Sequence, residues 1–175
     1  MGSGVTEVRR SGAAASRSRL VIASYNIHGC IGTDRKHDTA RIARVIRELN
    51  ADVLGLQELH AHGVGPDPSD EIQLLAAVSE FEVVTGTTFV GPRGDYGIAL
   101  FSRLPVLAVR RIDLHVPPRE PRCALDVDVA VDGGAIRVIA SHLGLAPWER
   151  RLQVQRLTEA IVRDPSRLTM VLGDI

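Results

Sequence analysis

Four polar residues in this sequence stand at, or just beyond, the ends of apolar runs: Asn26, Glu58, His142 and Asp174. A carboxylate and an amide oxygen are hard oxygen donors, suited to Mg2+ or Mn2+. A histidine can protonate a leaving oxygen or hold a phosphate. No HxxxH or CxxC spacing occurs, so this pattern does not indicate zinc. Taken singly, each residue has a plainer reading as well. Asn26 fits a turn, Glu58 a solvated loop carboxylate, His142 a satisfied core histidine and Asp174 a solvated chain end. Together they form a set, because ligand sites in α/β sheets gather outside strand ends, where rigid strands aim side chains into a shared space.

The elements that must position this set follow from the apolar pattern. Leu20–Ile27 reads as a strand. A polar loop over Cys30–His37 leads to Asp38, whose carboxylate can cap a helix running to about Leu49, with Ile42, Val45, Ile46 and Leu49 on one face. Val53–Gln57 is a second strand, and the β-α-β order favours parallel pairing with the first. His60–Ser69 is a Pro/Gly loop, Asp70–Val78 a short helix, Phe81–Thr87 a strand and Gly91–Asp95 a turn-rich loop. Gly97–Ser102 and Val106–Leu114 read as strands, and the proline-rich His115–Pro121 as irregular. Ala124–Val131 alternates apolar residues with Asp126 and Asp128, which predicts a half-buried strand. Asp132-Gly133-Gly134 predicts a hairpin turn into Ala135–Ser141. A helix from Pro147 to Arg163 places Val154, Leu157 and Ile161 on its buried side. Leu168–Leu172 reads as a buried apolar strand that presents Asp174 at its end.

Composition narrows the class. At 175 residues the chain fits one domain with a core of its own. Aromatic residues are only 3%, so aliphatic side chains must fill that core. Twenty-one basic and 21 acidic residues balance, which removes any general attraction to nucleic acid or an anionic membrane without excluding a local basic groove. Lys36 is the sole lysine, an arginine skew that reads as compositional. Cys30 and Cys123 are too few for a disulfide framework and read as buried thiols in a reducing, cytoplasmic setting. No apolar run is long enough for a membrane span. Residues 1–19, rich in Gly, Ser, Ala and Arg with no apolar stretch, read as a disordered tail rather than a signal peptide; residues 20–175 are the domain.

At this point the sequence resembles the endonuclease/exonuclease/phosphatase family. Ser24-Tyr25-Asn26-Ile27-His28-Gly29, Leu56-Gln57-Glu58, Tyr96-Gly97-Ile98-Ala99-Leu100-Phe101-Ser102-Arg103, Pro121-Arg122, Ser141-His142-Leu143 and Leu172-Gly173-Asp174 occur in that family's order, from about Leu20 to Ile175. The Glu149-Arg150-x-x-Gln153 helix is similar to the bacterial metal-dependent hydrolase branch. The resemblance implies an α/β fold: a two-sheet α/β sandwich with helices on its outer faces, deoxyribonuclease-I-like, with the site between sheet ends. It implies a phosphodiesterase or phosphatase that uses Mg2+, or Mn2+ in its place. Glu58 would bind the metal, with Asn26 beside it or on the phosphate. His142 would stabilise the phosphate or leaving group, and Asp174 would orient the attacking water. Arg122 would lie near the substrate phosphate, with a surface ion pair as its alternative. His28 and Tyr96 would contact the substrate or the pocket wall.

Three departures shape the expectation. Nuclease branches often carry Asp where this chain has His28, which favours a small-molecule phosphoester or a phospholipid head group over nucleic acid. Ile98 stands where many relatives have asparagine. The family's Gly-Asp-x-Asn motif also needs an asparagine after Ile175, and the closing Asp-His pair that supplies its general base is absent. The resemblance therefore implies a domain incomplete at the C-terminus, weak or no activity, and poor solubility for this chain alone. A phosphate-binding module without catalysis and a nuclease fragment are the alternatives.

Overall fold

The structure, a computed structural model, describes residues 19–60, 71–78, 80–91 and 94–175. The expected N-terminal tail up to residue 18 and the expected loop from residue 61 to 69 lie outside the described residues.

The first apolar run forms β1 (Ile22–Asn26). A tight turn and a polar loop then lead to Asp38, whose carboxylate accepts from the Arg41 N–H at 2.8 Å and caps α1 (Thr39–Leu49). Asn50 closes that helix at φ 42°, a left-handed conformation that asparagine tolerates. β2 (Val53–His60) returns parallel to β1, with Asn26 opposite Gln57, as the β-α-β order predicts. α2 (Glu71–Ala77) precedes the antiparallel pair β3 (Glu82–Gly91) and β4 (Gly94–Ser102). The first sheet runs β1-β2-β4-β3.

The second sheet starts as a meander of β5 (Val106–Asp113), β6 (Cys123–Val131) and β7 (Gly134–His142). The turn between the last two uses Gly133 at φ 84°, where a side chain would strain the backbone. α3 (Pro147–Val162) crosses the outer face and delivers β8 (Thr169–Asp174) parallel to β7, with His142 opposite Asp174. Each sheet thus contains one parallel pair made by a helical crossover.

Side chains pack in layers. Val53, Ile98 and Leu100 of the first sheet meet Leu125, Val127, Val138 and Ala140 of the second between the sheets. Leu54, Leu56 and Phe101, on the opposite face, pack against Ile42 and Ile46 of α1 and Leu75 of α2. Ala124, Ile139 and Leu157 fill the space under α3. The result is the two-sheet α/β sandwich with helices outside. Among the described residues, no helix is long and apolar enough to cross a membrane.

Three expectations are corrected. β6 is not half-buried: Asp126 and Asp128 are buried beneath α3 and held by arginines. Val154 is exposed, and the inner face of α3 is the row Glu149, Gln153 and Leu157. β8 borders only β7 among the described residues, so Met170 and Val171 keep 39% and 40% of their surface in water rather than being buried.

Candidate active site

The two parallel pairs end at the same rim of the sandwich. Asn26 is the last residue of β1, and His142 and Asp174 are the last residues of β7 and β8. Glu58 reaches the same place by a local irregularity. Against β4, Gln57 pairs with Ile98 and Leu59 with Gly97, leaving Glu58 as the extra residue of a β-bulge at φ 57°. A bulge turns one side chain off the sheet's alternation. The left-handed backbone costs a non-glycine residue about 1–2 kcal/mol. The surrounding strands hold that strain in place, and it aims the Glu58 carboxylate at the rim.

The side chains close a polar network. The Asn26 amide donates to Glu58 Oε1 at 2.8 Å and, across the two sheets, to Asp174 Oδ2 at 3.1 Å. Asn26 Oδ1 accepts from the His28 backbone N–H, and His28 Nδ1 lies 3.2 Å from Glu58 Oε2. His142 Nε2 stands 3.9 Å from Glu58 Oε1 and 4.0 Å from Asp174 Oδ2.

Arg122 fixes the tautomer of His142. A guanidinium can only donate, and its Nη1 lies 3.3 Å from His142 Nδ1. Nδ1 is therefore the acceptor, and the ring's proton sits on Nε2, facing the two carboxylates. Burial lowers the His142 pKa, and the Arg122 charge lowers it further, against the opposing pull of Glu58 and Asp174. The ring is held neutral, as a hydrogen-bond donor. Arg122 also pairs with Glu120 at 3.4 Å.

Tyr96 stands beside this group, opposite His60 in the β2–β4 register, with ring centroids 5.1 Å apart. Burial and then the Glu58 charge push its phenol up to about 12, against the lowering effect of Arg122, so it stays protonated. A cleft of about 350 Å3 opens next to Arg122, lined by Thr88, Arg111, Asp113, His115, Pro121 and Cys123. The structure thus brings Asn26, His28, Glu58, Tyr96, Arg122, His142 and Asp174 to one rim. Sequence reasoning missed His60 and Glu120. His60 carried a usable signal, as a second polar residue ending the run that contains Glu58. Glu120 carried none, lying within the irregular proline-rich segment.

The donor set fits a divalent cation. Two carboxylates from different sheets converge on one amide donor, and a cation meets the same demand for positive charge with hard oxygen ligands. Glu58 would hold the ion, with Asn26 beside it.

α3 braces the loop after His142. The Gly144 N–H donates to Gln153 Oε1 at 2.8 Å, and Gln153 Nε2 donates to the Leu114 carbonyl at 3.1 Å. A Cβ on Gly144 would lie 2.0 Å from the Glu149 carboxyl carbon, so a side chain here would displace that carboxylate. Gln153→Leu leaves a buried donor and a buried acceptor unpaired. It should lower stability by roughly 2–4 kcal/mol, seen as a lower urea midpoint at unchanged slope. A midpoint equal to wild type would show that the brace contributes nothing.

A family model described as Endonuclease/Exonuclease/phosphatase family matches residues 23–175. The chain belongs to that family. It is 29% identical over 164 residues to the uncharacterized protein YbhP of Escherichia coli K12, covering 87% of this chain and 65% of YbhP. The chain therefore spans less than two-thirds of the length of the curated relatives it matches. Among solved structures it is similar to an endonuclease/exonuclease/phosphatase from Beutenbergia cavernae, with TM-score 0.61 and 23% identity over 86% of this chain and 45% of that one. It is also similar to the mannosyl-6-phosphatase Bt3783 of Bacteroides thetaiotaomicron, with TM-score 0.66 and 16% identity over 89% of this chain and 65% of that one. These likenesses establish the deoxyribonuclease-I-like fold.

Proposed function

We propose that this chain carries the site of a divalent-metal-dependent phosphoester hydrolase. The observation that supports it is the meeting of four strand ends from two sheets: the Asn26 amide bonds both Glu58 and Asp174, and His142 Nε2 lies within 4.0 Å of both carboxylates. Mg2+, or Mn2+ in its place, held by Glu58 with Asn26 beside it, would neutralise charge on the phosphoryl group. The neutral His142 presents its Nε2–H to a phosphoryl or leaving oxygen. Arg122 fixes that tautomer and adds positive charge where the phosphate would lie. Asp174 anchors Asn26 and can accept a hydrogen bond from the attacking water. His28 restrains Glu58, and Tyr96 with the adjoining cleft gives room for the alcohol portion of the ester.

Small phosphoesters and phospholipid head groups are the substrates we favour, with nucleic acid third, because His28 replaces the aspartate of nuclease branches and the chain has no net charge. The fold neighbour titled mannosyl-6-phosphatase adds sugar phosphates to the substrates to test. Cys30 and Cys123 are free and buried, which suits a cytoplasmic setting.

The experiment is release of p-nitrophenol from its phosphate monoester and diester by the purified protein, with Mg2+, Mn2+ or EDTA. Turnover, however slow, should require the metal and should fall at least roughly 10²-fold in His142→Asn. Turnover indifferent to both EDTA and this substitution would overturn the proposal. Plasmid nicking that disappears with Glu58→Gln would instead assign nucleic acid as substrate.

A further inference from the structure

We propose that Cys30, His37 and Glu71 form a second metal site, for a borderline-soft ion of the Zn2+ class, which clamps the turn carrying His28 to the helical layer. The cluster lies outside the network described above. One ligand atom from each residue lies within 4.8 Å of the others. The three come from separate elements. Cys30 ends the turn after β1, His37 closes the following loop through a bridge to Ile31, and Glu71 opens α2. Their dispersal explains why no HxxxH or CxxC spacing announces the site.

A buried carboxylate oxygen without a partner points to a cation here. Glu71 is 4% exposed, and only one of its oxygens is engaged: Oε1 lies 2.5 Å from His37 Nε2, while Oε2 is buried with no hydrogen-bond partner among the described residues. Cys30 is fully buried beside it. A half-satisfied carboxylate against a buried sulfur is costly in a low-dielectric interior. A divalent cation between a thiolate, a carboxylate and a neutral imidazole gives zero net charge. Burial, followed by the Glu71 charge, pushes the Cys30 thiol up to about 12, so without a cation it stays protonated. Metal coordination displaces that proton.

The geometry needs little adjustment. Bonds of roughly 2.0–2.3 Å to a tetrahedral ion set ligand atoms roughly 3.4 Å apart. The His37–Glu71 contact must open, and the sulfur already lies within 4.8 Å of both other ligand atoms. His37 keeps 47% of its side-chain surface in water, which gives the ion an entry path and leaves room for water as a fourth ligand. Sulfur and imidazole also separate this set from the all-oxygen donors Glu58 and Asn26, which suit Mg2+.

The clamp would act on a strained segment. His28, Gly29 and Cys30 have φ of 49°, 57° and 61°, a left-handed turn that two of the three residues adopt against steric cost. A Cβ on Gly29 would sit 2.9 Å from the His60 ring, so the turn rests on the His60–Tyr96 stack. Fixing Cys30 therefore fixes the path of His28 toward Glu58.

The test uses the full 175-residue chain. The purified protein is loaded with zinc, desalted and assayed by mass spectrometry for metal content; a parallel sample is titrated with Co2+. Wild type should retain about one zinc per chain in excess Mg2+, and the Co2+ form should show a near-ultraviolet thiolate-to-cobalt band with tetrahedral visible absorption. Cys30→Ser should lose that band. His37→Ala, at a half-exposed position, should weaken zinc binding at least roughly 100-fold. Glu58→Gln should retain the zinc. Absence of retained zinc, or of the thiolate band in the wild-type protein, overturns the site whether or not the variants fold. Zinc lost in Glu58→Gln and kept in His37→Ala would overturn it too, by assigning the ion to the other rim.

Discussion

Glu58→Gln should abolish metal-dependent phosphoester hydrolysis, by roughly 10³-fold or more, while the protein stays folded. The amide matches the carboxylate in size, so the bulge and the Asn26 contact can persist. What disappears is the negative charge that would hold the cation, and with it several kcal/mol of charge stabilisation at phosphorus, a loss that corresponds to roughly 10³-fold in rate. Loss of Mn2+ binding by calorimetry should accompany the loss of turnover. A rate within a few-fold of wild type would remove Glu58 from the chemistry. The backbone makes the experiment sharper. Glu58 occupies φ 57°, a region asparagine accepts more readily than glutamate. Glu58→Asn should therefore be equally inactive yet as stable as wild type, or more stable by up to about 1 kcal/mol. Activity and stability moving apart in this way would show that the strain is kept for the carboxylate's position.

That strain marks the limit of what was legible in the sequence. The parallel pairing of β1 and β2 followed from the order strand, capped helix, strand, and Asn26, His142 and Asp174 stand where apolar runs stop. Glu58 also reads as a polar break. Its bulge does not, because glutamate has no preference for a left-handed backbone and neighbouring strands impose the conformation. The inner face of α3 misled for a related reason. Apolar Val154 is expected on the buried side with Leu157 and Ile161, and nothing local marks Glu149 or Gln153 as buried. Only the approach of Gly144 and the Leu114 carbonyl makes a buried amide favourable there. The Cys30–His37–Glu71 cluster was invisible because three elements build it. In each case local pattern predicted the element, and a non-local partner decided which face was buried.

The alternation in β6 shows the largest energetic consequence of such partners. Asp126 and Asp128 look like the wet face of a strand, but α3 and its following turn cover them, and arginines replace the water. Arg137 donates to both Asp126 oxygens, at 2.9 and 2.7 Å, and Arg110, opposite Asp126 in register, bonds both aspartates. Arg167 reaches Asp128 at 2.6 Å. Burial alone would raise the Asp126 pKa, but hydrogen bonds from Arg137 and Arg110 outweigh it and bring the group from 3.8 down to about 2. A pKa lowered by folding gives stability that is fully present above the unfolded value and lost as pH falls. Asp126 should therefore contribute about 2 kcal/mol at neutral pH, disappearing between about pH 4 and pH 2. Asp126→Asn should cost more, roughly 3–5 kcal/mol, because it leaves the buried Arg137 guanidinium facing a neutral amide. Against a typical domain stability of about 5–15 kcal/mol, that brings the fold near its threshold. Arg167→Ala, which removes a half-exposed partner from the same network, should cost at most about 1 kcal/mol. Urea midpoints of the two variants at pH 7 and near pH 3 measure the contrast. If Asp126→Asn lost no more than Arg167→Ala at pH 7, or kept its full deficit near pH 3, the aspartate would not be the charge on which this face of the sheet is built.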